Sequence, residues 1–369
     1  MSFSLIPKTF EAQRVKTPIV VEMDSASAEC EHKGSEYLME EIKSRYSVGK
    51  LLGEGGEGGV YAGVRLSDGT EVAIKVSQVD PDLGMITIPG ETTPIPIEVG
   101  LMKMVSQPVR CLNILGLLEW FVVQNYLVLI LENPSPCMDL MDFCDLHGGK
   151  LPEPLARDIM VQVVQAACHC CARGVFHNDI KLENILVNTE TLQVKLIDFG
   201  VGDLLKATPY TYCPGSEQYF PPEWYREKRY MGRPTTIWTL GILLYQMLCG
   251  KWPFETPEEI IAGHLHFPPD LSKDCQKFIL RCLAQNPKSR PSFKQLLKNR
   301  WLKSGSRSTQ SIPIIRGPET LTEKRTPQAL QNEFAFLDHF SLFSPSPLFY
   351  KSLYVSLLVF MIYATLILL

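Results

Sequence analysis

Apolar residues recur with two different spacings along this chain, and the change between them divides it. In the first part, short apolar or alternating runs bounded by glycine or polar turns predict β-strands at residues 48–52, 60–65, 71–76 and 122–131. Residues 97–105 carry the helical spacing instead. Beyond residue 136, apolar stripes at helical spacing predict helices at residues 155–172, 236–249, 257–264, 272–284 and 292–298. We therefore expect an α+β fold of two lobes, a small β-rich lobe followed by a larger helical one.

Composition changes along the chain predict six segments. They are an N-terminal arm at 1–45, expected to be disordered apart from a short helix at 35–44, a β-rich lobe at 46–131, a hinge at 132–136, a helical lobe at 137–302, a polar, proline-rich linker at 303–347 and a hydrophobic C-terminal segment at 348–369.

The C-terminal segment ends in an uncharged apolar run, residues 352–369. As a helix, these 18 residues would span about 27 Å, against a hydrocarbon core of about 30 Å. Lys351 could extend to the membrane surface at one end. The run predicts a tail anchor that would leave the folded part on the cytosolic side. The alternatives are an accessory helix packed on the fold and a non-native C-terminus.

Composition narrows the class of protein further. Of the 369 residues, 45% are hydrophobic and 21% charged, as in ordinary folded proteins, and the net charge of −4 argues against strong nucleic-acid binding. Eleven cysteines without regular spacing indicate reduced thiols in the cytoplasm. Residues 168–171 read Cys-His-Cys-Cys within a predicted helix, and core packing is favoured over a metal site because adjacent side chains point to different faces.

A glycine-rich segment and a lysine in an apolar strand predict a site for nucleotide phosphates. Glycine lets backbone N–H groups approach phosphate oxygens that side chains would obstruct. A lysine in an apolar strand either extends to solvent or meets an anion. The predicted nucleotide-contacting residues are Gly53, Gly55, Gly58, Val60, Ala73 and Lys75.

Further motifs follow in a fixed order. Glu98 lies on the next helix, His177-Asn178-Asp179 precedes Lys181 and Asn184, Asp198-Phe199-Gly200 follows an apolar strand, and Pro221-Pro222-Glu223 comes last. In this order they resemble the signature set of protein kinases, which use ATP and Mg²⁺. Either an ordinary turn or a surface ion pair would explain one motif alone, but not the whole set.

The resemblance implies a role for each of these residues. Asp179 would be the general base, Lys181 would offset developing charge, and Lys75 would pair with Glu98 and the nucleotide phosphates. Asn184 and Asp198 would bind Mg²⁺, because it prefers hard oxygen ligands. A buried ion pair between Glu223 and Arg290 would close the segment that follows Asp198.

Within the kinases, residues 46–302 resemble the PIM family of serine/threonine kinases. The resemblance is carried by Leu-Leu-Gly-Glu-Gly-Gly at 51–56, Val-Leu-Ile-Leu-Glu-Asn-Pro-Ser-Pro at 128–136, Asp-Leu-Met-Asp-Phe at 139–143, Leu-Ile-Asp-Phe-Gly-Val-Gly at 196–202, Pro-Pro-Glu-Trp at 221–224 and Gly-Ile-Leu-Leu-Tyr at 241–245. Pro134 stands where most kinases offer a backbone N–H to adenine, and proline has none. The carbonyl of Glu132 remains available as an acceptor.

The PIM resemblance also implies a substrate class. The family prefers Arg-rich peptides, and Asp139, Asp142 and Glu183 match its acidic contact positions. The alternative for these three residues is a solvated acidic face. We expect an ATP-dependent protein serine/threonine kinase, a cytoplasmic monomer that acts on basic protein sites.

Four departures from the usual kinase pattern affect this expectation. Asn178 replaces the arginine that, in the usual kinase motif, binds the phosphate of a phosphorylated activation loop. Activity without that phosphate is therefore expected. Glu57 places negative charge in the glycine-rich segment, residues 214–217 read Pro-Gly-Ser-Glu where the family has Asp-Gly-Thr-Arg, and Thr236 replaces a helix Asp common in kinases. The rival hypothesis is a pseudokinase that binds partners without efficient phosphoryl transfer.

Overall fold

The computed structural model describes residues 40–55, 58–78, 84–123 and 125–304. Most of the predicted N-terminal arm, Glu57, nearly all of the predicted linker and the hydrophobic C-terminal segment lie outside the described residues. Residues 40–45, within and just after the predicted short helix, are helical and form α1.

An antiparallel sheet of five strands forms the first lobe. Its strands are β1 (Tyr46–Gly55), β2 (Gly58–Arg65), β3 (Thr70–Gln78), β6 (Leu117–Val123) and β7 (Tyr126–Glu132), in the order β1-β2-β3-β7-β6. The short strands β4 (Met85–Ile86) and β5 (Ile95–Pro96) pair with each other before α2 (Ile97–Val105). The side chains of α2 that face the fold, including Val99 and Leu101, are fully buried.

The sheet register places the predicted nucleotide-contacting side chains on one face. Val60 of β2 lies opposite Lys75 of β3, and Ala73 lies two residues before Lys75 on the same strand. Side chains two residues apart on a strand, and side chains directly opposite across a pair, point to the same face. Val60, Ala73 and Lys75 therefore share one face, and Lys75 lies on β3, the central strand of the sheet.

Helices dominate the second lobe. They are α3 (Leu140–Leu146), α4 (Glu153–Ala172), α5 (Pro222–Glu227), α6 (Gly232–Cys249), α7 (Pro257–Ala262), α8 (Lys273–Cys282), α9 (Phe293–Leu296) and α10 (Arg300–Lys303). Between α3 and α5 the chain forms β9 (Val175–Phe176), β10 (Ile185–Asn188), β11 (Val194–Leu196) and β12 (Asp203–Leu204). A sheet of order β11-β10-β8, with β8 at Cys137–Asp139, supports the segments that carry the signature motifs. The α+β prediction of two lobes is confirmed.

Local physical chemistry explains where the helix predictions succeed and fail. The bounds of α2 match the predicted 97–105. Helix α6 begins at Gly232, four residues before the prediction, because Pro234 lies in its first turn, where backbone N–H groups lack helical partners anyway. Helix α7 ends at Ala262, because Gly263 adopts φ 71° and terminates it. The pattern did not predict α3, α5 or α10.

Two further findings concern the described part of the chain. Within the described ranges, no helix is long and apolar enough to cross a membrane. At the Cys-His-Cys-Cys segment, Cys170 and Cys171 are buried in the core, and the His169 ring lies 2.8 Å from the Val105 carbonyl oxygen through Nε2. Among residues 40–55, 58–78, 84–123 and 125–304, no group of three or more His, Cys, Asp or Glu side chains is placed to hold a metal ion.

Candidate active site

Lys75 joins two carboxylates that lie far apart in the sequence. Its Nζ is 2.8 Å from Oε1 of Glu98 on α2 and 2.7 Å from Oδ1 of Asp198, which follows β11. Burial by itself would lower the pKa of Lys75, but the charges of Glu98 and Asp198 outweigh it and raise this pKa above its ordinary value. Lys75 is therefore a fixed cation between the two lobes.

The backbone shape at Asp198 directs its carboxylate into this cleft. Asp198 has φ 62°, a left-handed conformation that Asp tolerates better than most residues, and its Oδ1 also accepts from the Gly200 N–H at 3.1 Å. Burial would raise the pKa of Asp198, but the charge and hydrogen bond of Lys75 and the Gly200 N–H lower it. Asp198 is thus an ionised carboxylate at neutral pH.

The predicted glycines of the phosphate segment differ in what they do. A Cβ on Gly58 would lie 1.8 Å from the Val76 carbonyl oxygen, so only glycine lets β2 approach β3 here. A Cβ on Gly53 would meet nothing within 4 Å among the described atoms, which leaves room beside the backbone of β1. Gly55 is the last residue of β1 and pairs with Gly58, the first residue of β2.

Asp179 lies within a network of hydrogen bonds. Its Oδ2 is 2.8 Å from Lys181 Nζ and accepts from Asn184 Nδ2, also at 2.8 Å. The same Asn184 amide donates to the Asp179 carbonyl oxygen at 2.8 Å. The two functions predicted for this segment, base and metal ligand, are therefore joined through one side-chain amide. Because the nitrogen of that amide is engaged, its oxygen is the atom available as a metal ligand.

Ser216 is a member of this network that the sequence analysis did not select. Its hydroxyl lies 3.4 Å from Asp179 Oδ1, and Lys181 Nζ donates to the same hydroxyl at 3.3 Å. Gly215 brings the chain this close with φ 101°, a conformation that favours glycine. The sequence did offer a Gly-Ser pair within residues 214–217, the stretch that differs from the family pattern. Nothing in the neighbouring sequence connects that pair with Asp179, which lies 37 residues earlier.

Asn178 binds the activation segment, residues 198–223, at two separate points. Its side-chain amide donates to the Val201 carbonyl at 3.2 Å and to the Pro214 carbonyl at 3.4 Å. Asn178 has φ 68°, and asparagine is among the few residues that adopt this conformation readily. The neutral side chain of Asn178 therefore contacts the activation segment through backbone carbonyls. An arginine at this position would make its contact through a phosphate on that segment.

The ring of His177 packs beneath this segment. Its Nε2 lies 3.0 Å from the Ile197 carbonyl oxygen, and its ring centroid is 4.7 Å from that of Phe199. Burial lowers the pKa of His177, so the ring is neutral at neutral pH.

The hinge residues occupy the end of β7 and the turn after it. Glu132 ends β7 opposite Val72 of β3, and its side chain pairs with Arg110 and with Lys195 Nζ, the latter at 2.9 Å. The Pro134 carbonyl accepts from Asn188 Nδ2 at 3.4 Å. The side-chain contacts of Glu132 were not expected from the sequence, which suggested a role only for its backbone.

The three predicted substrate-contact residues lie on neighbouring elements. Asp139 is the N-cap of α3 and accepts from the Asp142 N–H at 2.9 Å, while Glu183 lies in the 3₁₀ turn before β10. Asp142 and Glu183 are exposed, and Asp139 is half-buried. Glu217, next to Ser216, is also exposed and stands where the PIM pattern has Arg.

Glu223 and Arg290 form the buried pair that the sequence predicted. Arg290 donates to both carboxylate oxygens of Glu223, at 2.7 and 2.6 Å, and the two side chains are 8% and 1% exposed for Glu223 and Arg290 respectively. Arg290 also donates to the carbonyls of Ala284 and Pro234. The end of the activation segment is thereby fixed to the helical lobe.

The arrangement fits a nucleotide with its divalent cation. One face of the sheet carries Val60, Ala73 and Lys75, the ionised Asp198 stands below it, and the Asn184 amide oxygen is available beside Asp179. Carboxylate and amide oxygens are ligands that Mg²⁺ accepts when phosphates supply the others.

Comparison with known proteins agrees with this geometry. Residues 46–302 match the family described as Protein kinase domain. The chain is 41% identical over 273 residues to serine/threonine-protein kinase pim-2 of Danio rerio, covering 72% of this chain and 87% of that protein. It is 33% identical over 276 residues to serine/threonine-protein kinase prk-2 of Caenorhabditis elegans, covering 73% of this chain and 61% of that one. The chain belongs to the protein kinase family, as a serine/threonine kinase of the PIM type that uses ATP and Mg²⁺.

Proposed function

We propose that this kinase phosphorylates Ser or Thr in basic, Arg-rich protein segments and needs no phosphate on its own activation segment. The observation that carries the proposal is the pair of bonds from Asn178 to Val201 and Pro214, together with the contact of Ser216 with Asp179. These contacts hold the activation segment against the catalytic carboxylate without any added charge. The proposal takes the kinase as a cytoplasmic monomer.

In this proposal each residue of the site has a defined task. Asp179 orients the acceptor hydroxyl and accepts its proton through the oxygen near Ser216. Lys181 stands beside the same carboxylate and stabilises charge that develops during transfer. Lys75, held by Glu98, positions the phosphates of ATP, and Asn184 with Asp198 would hold Mg²⁺, which neutralises phosphate charge when bound.

Acidic side chains near the site support the proposed substrate class. Asp139, Asp142 and Glu183 lie on adjoining elements, and Glu217 adds an exposed carboxylate beside Ser216. Arginine side chains of a substrate would meet several negative charges there. Single exposed ion pairs contribute little, typically about 0.2–1 kcal/mol, so specificity should come from the set.

The test of substrate class removes charge without removing structure. Asp139→Asn, Asp142→Asn and Glu183→Gln are combined, because Asn keeps the N-cap of α3 whereas Ala would cost about 1 kcal/mol. The triple variant should raise KM for an Arg-rich peptide at least tenfold more than KM for a neutral peptide. A control variant removes the same number of negative charges at three exposed positions, by Glu190→Gln, Glu227→Gln and Asp270→Asn. Equal effects of the two triples, or equal effects on the two peptides, would refute the substrate assignment.

A further inference from the structure

The carboxylate of Glu132 joins three segments of the chain. Oε1 pairs with Nη2 of Arg110, while Oε2 accepts from Lys195 Nζ at 2.9 Å and from the Gly116 N–H at 3.2 Å. We call these four residues the Glu132 junction. Burial would raise the pKa of Glu132, but the bonds and charges of Lys195 and Arg110 lower it, so the carboxylate is ionised at neutral pH.

The junction links the end of the five-stranded sheet to the strand that leads to Asp198. The Glu132 N–H donates to the Gly116 carbonyl at 3.0 Å, so these two residues are bonded twice. The segment before Gly116 pairs in turn with β11, through Leu115 N–H to the Leu196 carbonyl at 3.0 Å and Leu196 N–H to the Asn113 carbonyl at 2.8 Å. Lys195 lies on β11, three residues before Asp198.

The junction is closely packed at its centre. A Cβ on Gly116 would lie 2.8 Å from Glu132 Oε1 and 2.4 Å from Arg110 Nη2, so the carboxylate sits against the backbone itself. The side chain of Lys195 is 11% exposed. Without the negative charge of Glu132, Arg110 and Lys195 would lose their shared partner, and the mostly buried Lys195 would be left as an uncompensated cation, which is strongly unfavourable. Relief would come by a shift of β11, the strand that places Asp198.

We propose that Glu132 acts through its side chain as a positioning residue, which sets Asp198 against Lys75 and thereby the affinity for the Mg²⁺-bound nucleotide. This inference rests on the proposed function of Asp198 as a metal ligand. It differs from the expected role of the Glu132 backbone carbonyl at the hinge, because exchanging the carboxylate for an amide leaves that carbonyl in place.

The test measures nucleotide binding rather than phosphoryl transfer. Dissociation constants for ADP are determined by calorimetry with and without Mg²⁺, for the parent and for Glu132→Gln. The variant should weaken binding in Mg²⁺ by roughly 3- to 30-fold, the range expected when a coupled contact is lost. Binding without Mg²⁺ should change less than twofold. If the parent itself binds ADP equally with and without Mg²⁺, the proposed metal role of the site fails, not the role of Glu132.

Glu119 supplies a matched control. It lies on β6 of the same sheet, its side chain is 13% exposed, and it pairs with Arg45 and with the Tyr46 hydroxyl at 2.8 Å. Within the described residues, the hydrogen bonds and ion pair of Glu119 go to Arg45 and Tyr46 and not to β11. Glu119→Gln should lower the thermal midpoint to a similar extent as Glu132→Gln while leaving both dissociation constants unchanged. If Glu132→Gln also changes only the thermal midpoint, Glu132 has a merely structural role and the inference is wrong.

Removal of the buried cation tests the same linkage from the other side. Lys195→Met leaves the pair of Glu132 with Arg110 intact and should produce a smaller loss of Mg²⁺-dependent affinity. Added to Glu132→Gln, it should restore part of the lost affinity, because the uncompensated charge is gone. If Glu132→Gln does not fold, Lys195→Met decides alone, and unchanged Mg²⁺-dependent affinity in that variant contradicts the inference.

Discussion

Pro134 is the single residue at which the nucleotide contact should depart most from that of a kinase with a hinge N–H. It lies two residues after Glu132, and its ring removes the only backbone donor at that position. The adenine ring would then be held by the Glu132 carbonyl and by apolar contacts from residues such as Val60 and Ala73.

Restoring the donor at residue 134 should strengthen nucleotide binding. Pro134→Ala adds one neutral hydrogen bond, worth roughly 0.5–1.5 kcal/mol, so the dissociation constant of ATP should fall by about 2- to 10-fold. The control ligand is 1-deaza-ATP, whose ring lacks the acceptor nitrogen and should gain nothing. An unchanged ATP dissociation constant, or an equal gain for both nucleotides, would mean that no hinge donor had been missing.

Some members of the site could be identified from the sequence and others could not. Lys75, Glu98 and Asp198 were recognisable because each stands in a motif whose neighbours fix its surroundings. The structure brings both carboxylates within 2.8 Å of Lys75 Nζ. Ser216 was missed because its relevance depends on a contact across 37 residues. The Glu132 carboxylate was missed for the same reason, since its partners Arg110 and Lys195 come from two other segments.

At the scale of elements, three hydrogen bonds hold the activation segment near Asp179 without any phosphate. Two of them come from Asn178, and the third contact is that of Ser216 with Asp179. Each of these contacts is made by an unmodified side chain, and none of them includes a phosphate group. The ordering of the segment therefore depends on the chain as synthesised.

Substitution of Asn178 should slow the enzyme, whereas phosphatase treatment should not. Complete dephosphorylation should leave the rate of peptide phosphorylation within about twofold of the untreated enzyme, because no phosphate takes part in these contacts. Asn178→Gly removes both hydrogen bonds of the side chain, and glycine adopts φ 68° without strain. Because each bond contributes about 0.5–1.5 kcal/mol, the variant should slow the rate by roughly 5- to 100-fold. A tenfold loss on dephosphorylation, or an unaffected Asn178→Gly variant, would contradict this account of the segment.

A helix could be predicted where the pattern of its own residues was sufficient to define its bounds. Helix α2 has apolar side chains on its inner face and matches its predicted bounds. Helix α3 spans only seven residues, too few for a periodic pattern, although Asp139 at its N-cap was a usable local signal. The start of α6 was placed too late because Gly232 and Pro234 usually break helices, and only their position in the first turn makes them compatible.

At the scale of the whole molecule, the pair Glu223–Arg290 connects the activation segment to the distant end of the helical lobe. The residues lie 67 positions apart, and both are buried. Arg290 also lies over the Trp238 ring, 5.0 Å from its centroid. Removing one partner would leave an uncompensated charge in the interior.

This pair should matter more for stability than any exposed pair. Glu223→Gln should lower the free energy of unfolding by about 3–5 kcal/mol, the usual cost of breaking a buried pair. Glu227→Gln breaks the exposed pair of Glu227 with Arg229 and should leave the thermal midpoint unchanged. Thermal unfolding of both variants beside the parent measures the difference, and equal midpoints would show that the buried pair adds no stability.

The hydrophobic run at 352–369 makes a separate prediction for the full chain, whose membrane location the described residues do not test. Mean contributions of about −0.3 to −0.6 kcal/mol for each Leu, Ile, Val or Phe favour insertion by a few kcal/mol. The full-length chain should stay with membranes after alkaline carbonate extraction, whereas a chain cut after Gly305 should be released. Release of both would exclude the anchor.

The most direct test of the central claim is transfer of radiolabelled phosphate from ATP to an Arg-rich serine peptide by the full-length chain. The parent should label the peptide in the presence of Mg²⁺, and Lys75→Met and Asp198→Asn should each reduce the rate by about 10²–10³, because each removes an oriented charge from the site. Thermal midpoints measured without nucleotide check that both variants are folded. A parent that labels the peptide no faster than Asp198→Asn would contradict the account and favour a pseudokinase.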